Sequence, residues 1–132
     1  MKYLLDTHII LWALSGSKKL DSHIKDIIED SQNTIYYSTV SPWEVELKHQ
    51  KRKEFKLSGK QFIFLCDQNG LENIEIKNKH ILELVNLKTN KMNNHNDPFD
   101  KILLAQAISE NMIFITHDKK FKYYSNKNIM IV

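Results

Sequence analysis

The chain reads as an α/β protein, a parallel sheet with helices packed on its faces. Three observations predict this. Short apolar runs rich in β-branched and aromatic residues alternate with helix-period segments from end to end. No repeat, low-complexity tract or long linker interrupts them. The 132 residues are 42% hydrophobic and 27% charged, an ordinary globular composition, so 1–132 is expected to be a single domain with one sizeable core.

Lys2 to Asp6 reads as a short buried strand ending in an acid. Thr7 is suited to cap the helix that follows, whose Ile9, Ile10, Leu11, Trp12 and Leu14 run to Ser15-Gly16-Ser17. A second helix is predicted over 20–31, with Leu20, Ile24, Ile27 and Ile28 on one face. Thr34 to Thr39 is the second strand. Ser41, Pro42 and Glu44 match the N-cap, N1 and N3 positions of a capping box opening a third helix to about Lys51. A fourth helix fits 58–68, with Phe62 and Leu65 inward and Asn69-Gly70 as its stop. A weak third strand follows at Ile74 to Ile76, then a fifth helix over 78–87 on Ile81, Leu82, Leu84, Val85 and Leu87. Lys88 to Asn96 is a polar, Asn-rich loop.

The next helix is the best specified. Asp97 is a cap and Pro98 suits its first position. Phe99, Leu103 and Gln106 form one helical line, and Asp100, Leu103, Leu104 and Ala107 the adjacent one. An acid at the head of a core-facing stripe is costly unless something holds it ionised. A place in a capping box, favoured by the helix dipole, is the bland account of Asp100. Met112 to Thr116 is a buried strand stopped by His117-Asp118, Lys119 to Tyr124 a short basic and aromatic segment, and Ile129 to Val132 the last strand.

Several function classes are set aside by composition. One cysteine, Cys66, rules out an internal disulfide, fits a reducing cytoplasm, and among Phe62, Phe64 and Leu65 reads as a core thiol. The apolar start from Tyr3 to Leu14 is broken by Asp6 and His8 and is too short to span a bilayer, so no signal peptide or membrane anchor is expected. A net charge of +3 permits a polyanionic partner without demanding one.

In open parallel sheets ligands bind beyond the carboxyl ends of the strands. Asp6 ends the first strand, Asp118 lies two residues past Thr116, and Glu44 and Asp100 each sit near the start of a helix. If those helices start at the same sheet edge, the four carboxylates converge. Four acids with no His or Cys ligand pattern make a hard, oxygen-rich site suited to Mg²⁺ or Mn²⁺. Such ions activate water and stabilise charge on phosphate, which points to phosphodiester hydrolysis.

At these residues the chain resembles the PIN domains, and within them the small VapC-like toxins of bacterial toxin–antitoxin pairs. The matching pieces are Leu4-Leu5-Asp6-Thr7-His8, Ser41-Pro42-Trp43-Glu44-Val45, His95-Asn96-Asp97-Pro98-Phe99-Asp100 with Leu104-Ala105-Gln106-Ala107, and Ile115-Thr116-His117-Asp118, in the family's order. The resemblance implies a PIN-like three-layer α/β/α sandwich with a central, mostly parallel sheet of about five strands. It implies Asp6, Glu44, Asp100 and Asp118 as catalytic metal ligands, with Thr7, Asp97 and Thr116 supporting them. Asp97 ranks below Asp100, because the family's pattern keeps the acid directly ahead of the apolar helix. Lys101 stands where many relatives have arginine, and Asn96 where a basic residue is common.

The implied activity is a metal-dependent endoribonuclease, restrained by a cognate antitoxin and usually homodimeric. Lys48, Lys51, Arg52, Lys119 and Lys120 are then candidate phosphate contacts. Trp43 is expected in the core, with stacking on unpaired RNA as its alternative. His8, His95 and His117 fit no zinc pattern and are expected beside the ligands or in loops. The rival readings are a PIN-like nuclease in RNA processing without an antitoxin, and a PIN-like domain that binds RNA or protein without cutting. An aspartyl phosphatase is discounted, because its second acid would fall where this chain has His8.

Overall fold

The computed structural model describes residues 1–87, 97–124 and 126–132. Among these, five strands form one sheet: β1 Lys2–Leu5, β2 Thr34–Ser38, β3 Glu72–Ile74, β4 Ile113–Thr116 and β5 Ile129–Ile131. Their order is β3-β2-β1-β4-β5 and every neighbouring pair is parallel, so the sheet is wholly rather than mostly parallel. The helices are α1 Thr7–Ser15, α2 Ser22–Glu29, α3 Val40–Lys51, α4 Gly59–Gln68, α5 Asn78–Glu83 and α6 Pro98–Ser109.

The period of two along each strand sorts side chains into two cores. Tyr3, Leu5, Ile35, Tyr37 and Ile115 pack with Ile9, Ile10, Ile24, Val45, Phe62 and Cys66 from the first four helices. Leu4 and Phe114 face the other way, against Leu103, Leu104 and Ala107 of α6. The result is the expected three layers. Cys66 is fully buried, and burial pushes its thiol up to about 12. No helix among the described residues is long and apolar enough to cross a membrane.

The chain steps outward from β1 to β2 to β3, then returns across the sheet to place β4 on the other side of β1. This reversal makes the carboxyl ends of β1 and β4 a topological switch point, where an open α/β sheet leaves a crevice.

Several elements depart from the sequence expectation. Asp6, not Thr7, caps α1, because its carboxylate accepts the Thr7 N–H at 2.7 Å. Helix α2 starts after Asp21, whose carboxylate accepts the His23 N–H, so Leu20 packs from the preceding turn. Helix α3 starts at Val40, whose N–H is taken by Ser38 Oγ at 3.1 Å, and no Ser41–Glu44 capping box forms. Strand β3 is shifted forward from Ile74–Ile76 to Glu72–Ile74, since pairing with β2 begins almost at once after the Asn69-Gly70 turn. On α4, Leu65 is only partly buried and Cys66 takes the inward place one turn after Phe62.

Helix α5 departs most. It ends at Glu83 in a 3₁₀ turn, Leu84–Asn86, and exposes Ile81, Leu82 and Val85. Its inward line is His80, Leu84 and Leu87, with His80 fully buried. The Lys77 N–H donates to His80 Nδ1 at 3.0 Å, which leaves Nε2 to donate to Glu110 at 2.7 Å, so both ring nitrogens are satisfied. The Lys88–Asn96 loop, with His95 and Asn96, lies outside the described residues.

Glycine is required where α4 meets α3. A Cβ on Gly59 would stand 3.0 Å from the Pro42 carbonyl oxygen and from Glu46 Cβ. Backbone at Pro42 cannot swing aside, so Gly59→Ala should lower unfolding free energy by about 1–2 kcal/mol. A fall in the denaturant midpoint with unchanged slope is the check.

Candidate metal centre and active site

Asp6 leaves the end of β1 and Thr116 ends β4, and the parallel register Leu5↔Ile115 sets them side by side. Thr116 Oγ1 donates to Asp6 Oδ2 at 2.6 Å, while the Thr7 N–H holds Oδ1. Thr116 Oγ1 also accepts the Asp118 N–H at 3.0 Å, so one hydroxyl ties both acids. Asp118 in turn caps the 3₁₀ turn Lys119–Tyr123 by accepting the Lys120 N–H.

Glu44 comes from the other side of Asp6. Thr7 Oγ1 donates to Glu44 Oε1 at 2.7 Å. With that proton committed, the 2.8 Å contact between Thr7 Oγ1 and Ser41 Oγ has Ser41 as donor. Ser41 was matched to a cap, and its buried hydroxyl as a support for Thr7 was not foreseen. No local signal in the sequence marks it. Asp100 enters from the head of α6, where Asp97 Oδ1 accepts the N–H groups of Phe99 and Asp100 at 2.9 and 3.3 Å. Asp97 therefore supplies the cap, as expected.

The acids feel one another. Burial pushes Asp6 up, with Asp118 adding to it and the hydrogen bonds from Thr116 and Thr7 and the charge of His8 opposing. Burial, then the charges of Asp6, Asp100 and Asp97, push Glu44 up to about 7 against the Thr7 hydrogen bond. Burial, then Asp6, Asp97 and Asp118, push Asp100 up to about 8, with Lys120 opposing. Asp6, Asp100 and Asp118 thus lie within one another's fields, and Glu44 within those of Asp6 and Asp100. Among the described residues, no three His, Cys, Asp or Glu side chains are already closed round one point as a ligand cage. The donor set is all oxygen with surplus negative charge, which suits a hard divalent cation.

The family model for the PIN domain matches residues 3–127. The chain belongs to the PIN domain family. No curated protein sequence is significantly similar to it. As folds, three solved complexes resemble this PIN domain over nearly the whole chain. VapBC2 from Rickettsia felis, bound to a DNA fragment from its promoter, is 23% identical with a TM-score of 0.71, covering 100% of this chain and 98% of that one. DNA-bound VapBC from Salmonella typhimurium is 13% identical with a TM-score of 0.69, covering 99% and 98%. A toxin–antitoxin complex from Klebsiella pneumoniae is 19% identical with a TM-score of 0.63, covering 97% and 95%.

The basic residues of this PIN domain divide. Lys120 is near enough to Asp100 to oppose the rise in its pKa, and Lys119 is its neighbour on the same exposed turn. Lys48, Lys51 and Arg52 lie on the last turn and C-cap of α3, roughly 6–12 Å along the axis from Glu44. Lys48 Nζ sits 5.4 Å from the centre of the Phe55 ring. His8 and His117 are exposed and both contact the Trp12 ring, and His117 Nδ1 pairs with the Val132 carbonyl. Trp43 is not in the core: it is 52% exposed.

Raised carboxyl pKa values fix a sign. Between the ordinary pKa of 3.8 and its folded value of about 8, Asp100 binds more protons folded than unfolded, so stability falls as pH rises across that window. In chelator at pH 8, Asp100→Asn should therefore raise Tm by roughly 5 °C, the shift that about 1 kcal/mol produces in a domain of this size. The gain should vanish as pH approaches 4, where thermal melts should coincide.

Proposed function

We propose that this PIN domain is a VapC-like toxin: a metal-dependent endoribonuclease that hydrolyses RNA phosphodiester bonds and is held in check by an antitoxin. The observation that carries the reading is the convergence of Asp6, Glu44, Asp100 and Asp118 from two strand ends and two helix starts at the switch point. Their mutual repulsion is a cost that no neutral ligand relieves. Asp6, Glu44, Asp100 and Asp118 would hold Mg²⁺ or Mn²⁺, which when bound supplies an activated water and charge stabilisation at the phosphate.

The chain's own residues position that chemistry. Thr116 orients Asp6 and the Asp118 backbone together, and Thr7, backed by Ser41, orients Glu44. Lys120, with Lys119, is placed to meet a phosphate beside the acids. Lys48, Lys51 and Arg52 would meet RNA only farther along α3. The fold shared with VapBC complexes supports an antitoxin partner, and a homodimer acting in the cytoplasm completes the proposal.

Purified protein incubated with total RNA should yield discrete fragments with Mg²⁺ or Mn²⁺ and none with chelator. Asp6→Asn and Asp100→Asn should each lower kcat/KM at least ~100-fold, as loss of a preorganised charge-stabilising group does. Intact RNA under every metal, from folded protein, would sink the reading. Thr116→Val should cost about 10–100-fold in activity and in metal affinity, since it loosens two acids without removing either. Metal titration of both proteins by calorimetry checks the second half.

A further inference from the structure

Trp43 directly precedes Glu44 on α3, and Phe99 directly precedes Asp100 on α6. Their rings meet edge to face, with centroids 4.7 Å apart and planes at 83°. Phe99 is partly buried against the core under α6, whereas Trp43 is 52% exposed. An edge-to-face contact uses one edge or one face of an indole, so Phe99 leaves at least one face of Trp43 uncovered. A half-exposed tryptophan forgoes the burial that ordinarily places it inside.

Four acids in one crevice repel a polyanion as well as attract its metal. Substrate affinity must then come from cations nearby or from contacts indifferent to charge. Lys120 is a cation whose field reaches Asp100. Base stacking on an aromatic face is the charge-indifferent contact, and it is open to unpaired bases because duplex bases already cover one another.

We propose that Trp43, propped by Phe99, is a stacking platform for an unpaired base of the RNA substrate, each ring of the pair one residue from a different site acid. The proposal rests on the ribonuclease reading above and adds the element that selects single-stranded substrate. An exposed tryptophan is also a common anchor in protein contacts. Its position next to Glu44, against the ring that precedes Asp100, favours the molecule on which those acids act.

The test follows cleavage of single-stranded RNA oligonucleotides by wild type, Trp43→Ala and Trp43→Phe. In a Trp12→Phe background Trp43 is the remaining tryptophan of two, and its emission reports binding under chelation. Trp43→Ala should raise KM about tenfold or more while kcat stays within about twofold, and Trp43→Phe should recover most of the loss. Unpaired RNA should quench Trp43, and a duplex of the same sequence should not. An unchanged KM in Trp43→Ala, or equal quenching by duplex, overturns the platform even where cleavage persists. Emission that shifts with protein concentration and ignores RNA assigns Trp43 to a protein contact and overturns it too. If wild type cuts no RNA but unpaired RNA still quenches Trp43, the ribonuclease reading fails alone and the stacking site stands.

Discussion

The pairing of β1 with β4 is the constraint on which the site depends. Asp6 and Thr116 are 110 positions apart, and the 2.6 Å hydrogen bond between them exists because the parallel register sets Leu5 opposite Ile115. That register is secured by burial: Leu4, Leu5, Phe114 and Ile115 are all fully enclosed, and a slip of one residue would turn each to the wrong core. The same register makes the Asp6 N–H donate to the Ile115 carbonyl at 2.9 Å, which extends the ladder to the acid itself. Asp6 is thus held by backbone on one side and by Thr116 and the Thr7 N–H on its carboxylate. A buried carboxylate without such partners would be costly enough to favour another arrangement.

The helices that bring the other acids are pinned by a second polar chain. Ser38, at the end of β2, accepts the Val40 N–H and donates to Gln106 Oε1 at 2.5 Å. Gln106 then donates to the Glu75 carbonyl at 3.3 Å, so α6 is tied to the ends of both β2 and β3. Ser38 and Gln106 are both fully buried, where a satisfied polar pair fixes one arrangement and a broken one is expensive. Asp100 rides on α6 and Glu44 on α3, the helix that follows Ser38, so this chain governs their separation.

Much of this was legible in the sequence. The strand–helix alternation predicts the class, and Asp97-Pro98 predicts the cap and first turn of α6 as they occur. The four acids stand out as candidates because they sit near element ends, where an α/β sheet gathers its ligands. What the sequence hid is what depends on partners. On α5 the apolar pattern of Ile81, Leu82 and Val85 points to a face that the structure leaves in solvent. The inward face instead carries His80, whose burial is made tolerable by Lys77 and by Glu110, thirty residues on. No local rule sees that pair. Trp43 failed similarly: residue type predicts burial, but its position just outside the Glu44 turn leads it into solvent against Phe99.

Glu44 and Asp100 carry two readings in the sequence, helix cap or ligand, and the structure bears on the first. Glu44 makes no cap, because α3 starts two residues early, at Val40, and Ser38 serves its first N–H. On α6 it is the Asp97 side chain that accepts the first N–H groups. Asp100 sits in the first turn of α6, where the dipole favours a negative charge by about 0.3–1 kcal/mol, while Glu44 lies beyond the first turn of α3. Yet burial and the neighbouring acids raise both carboxyls, to about 7 and about 8, so desolvation and repulsion outweigh the dipole. A residue that caps a helix stabilises it. These two instead make the metal-free fold less stable as pH rises, a cost that the proposed metal would remove.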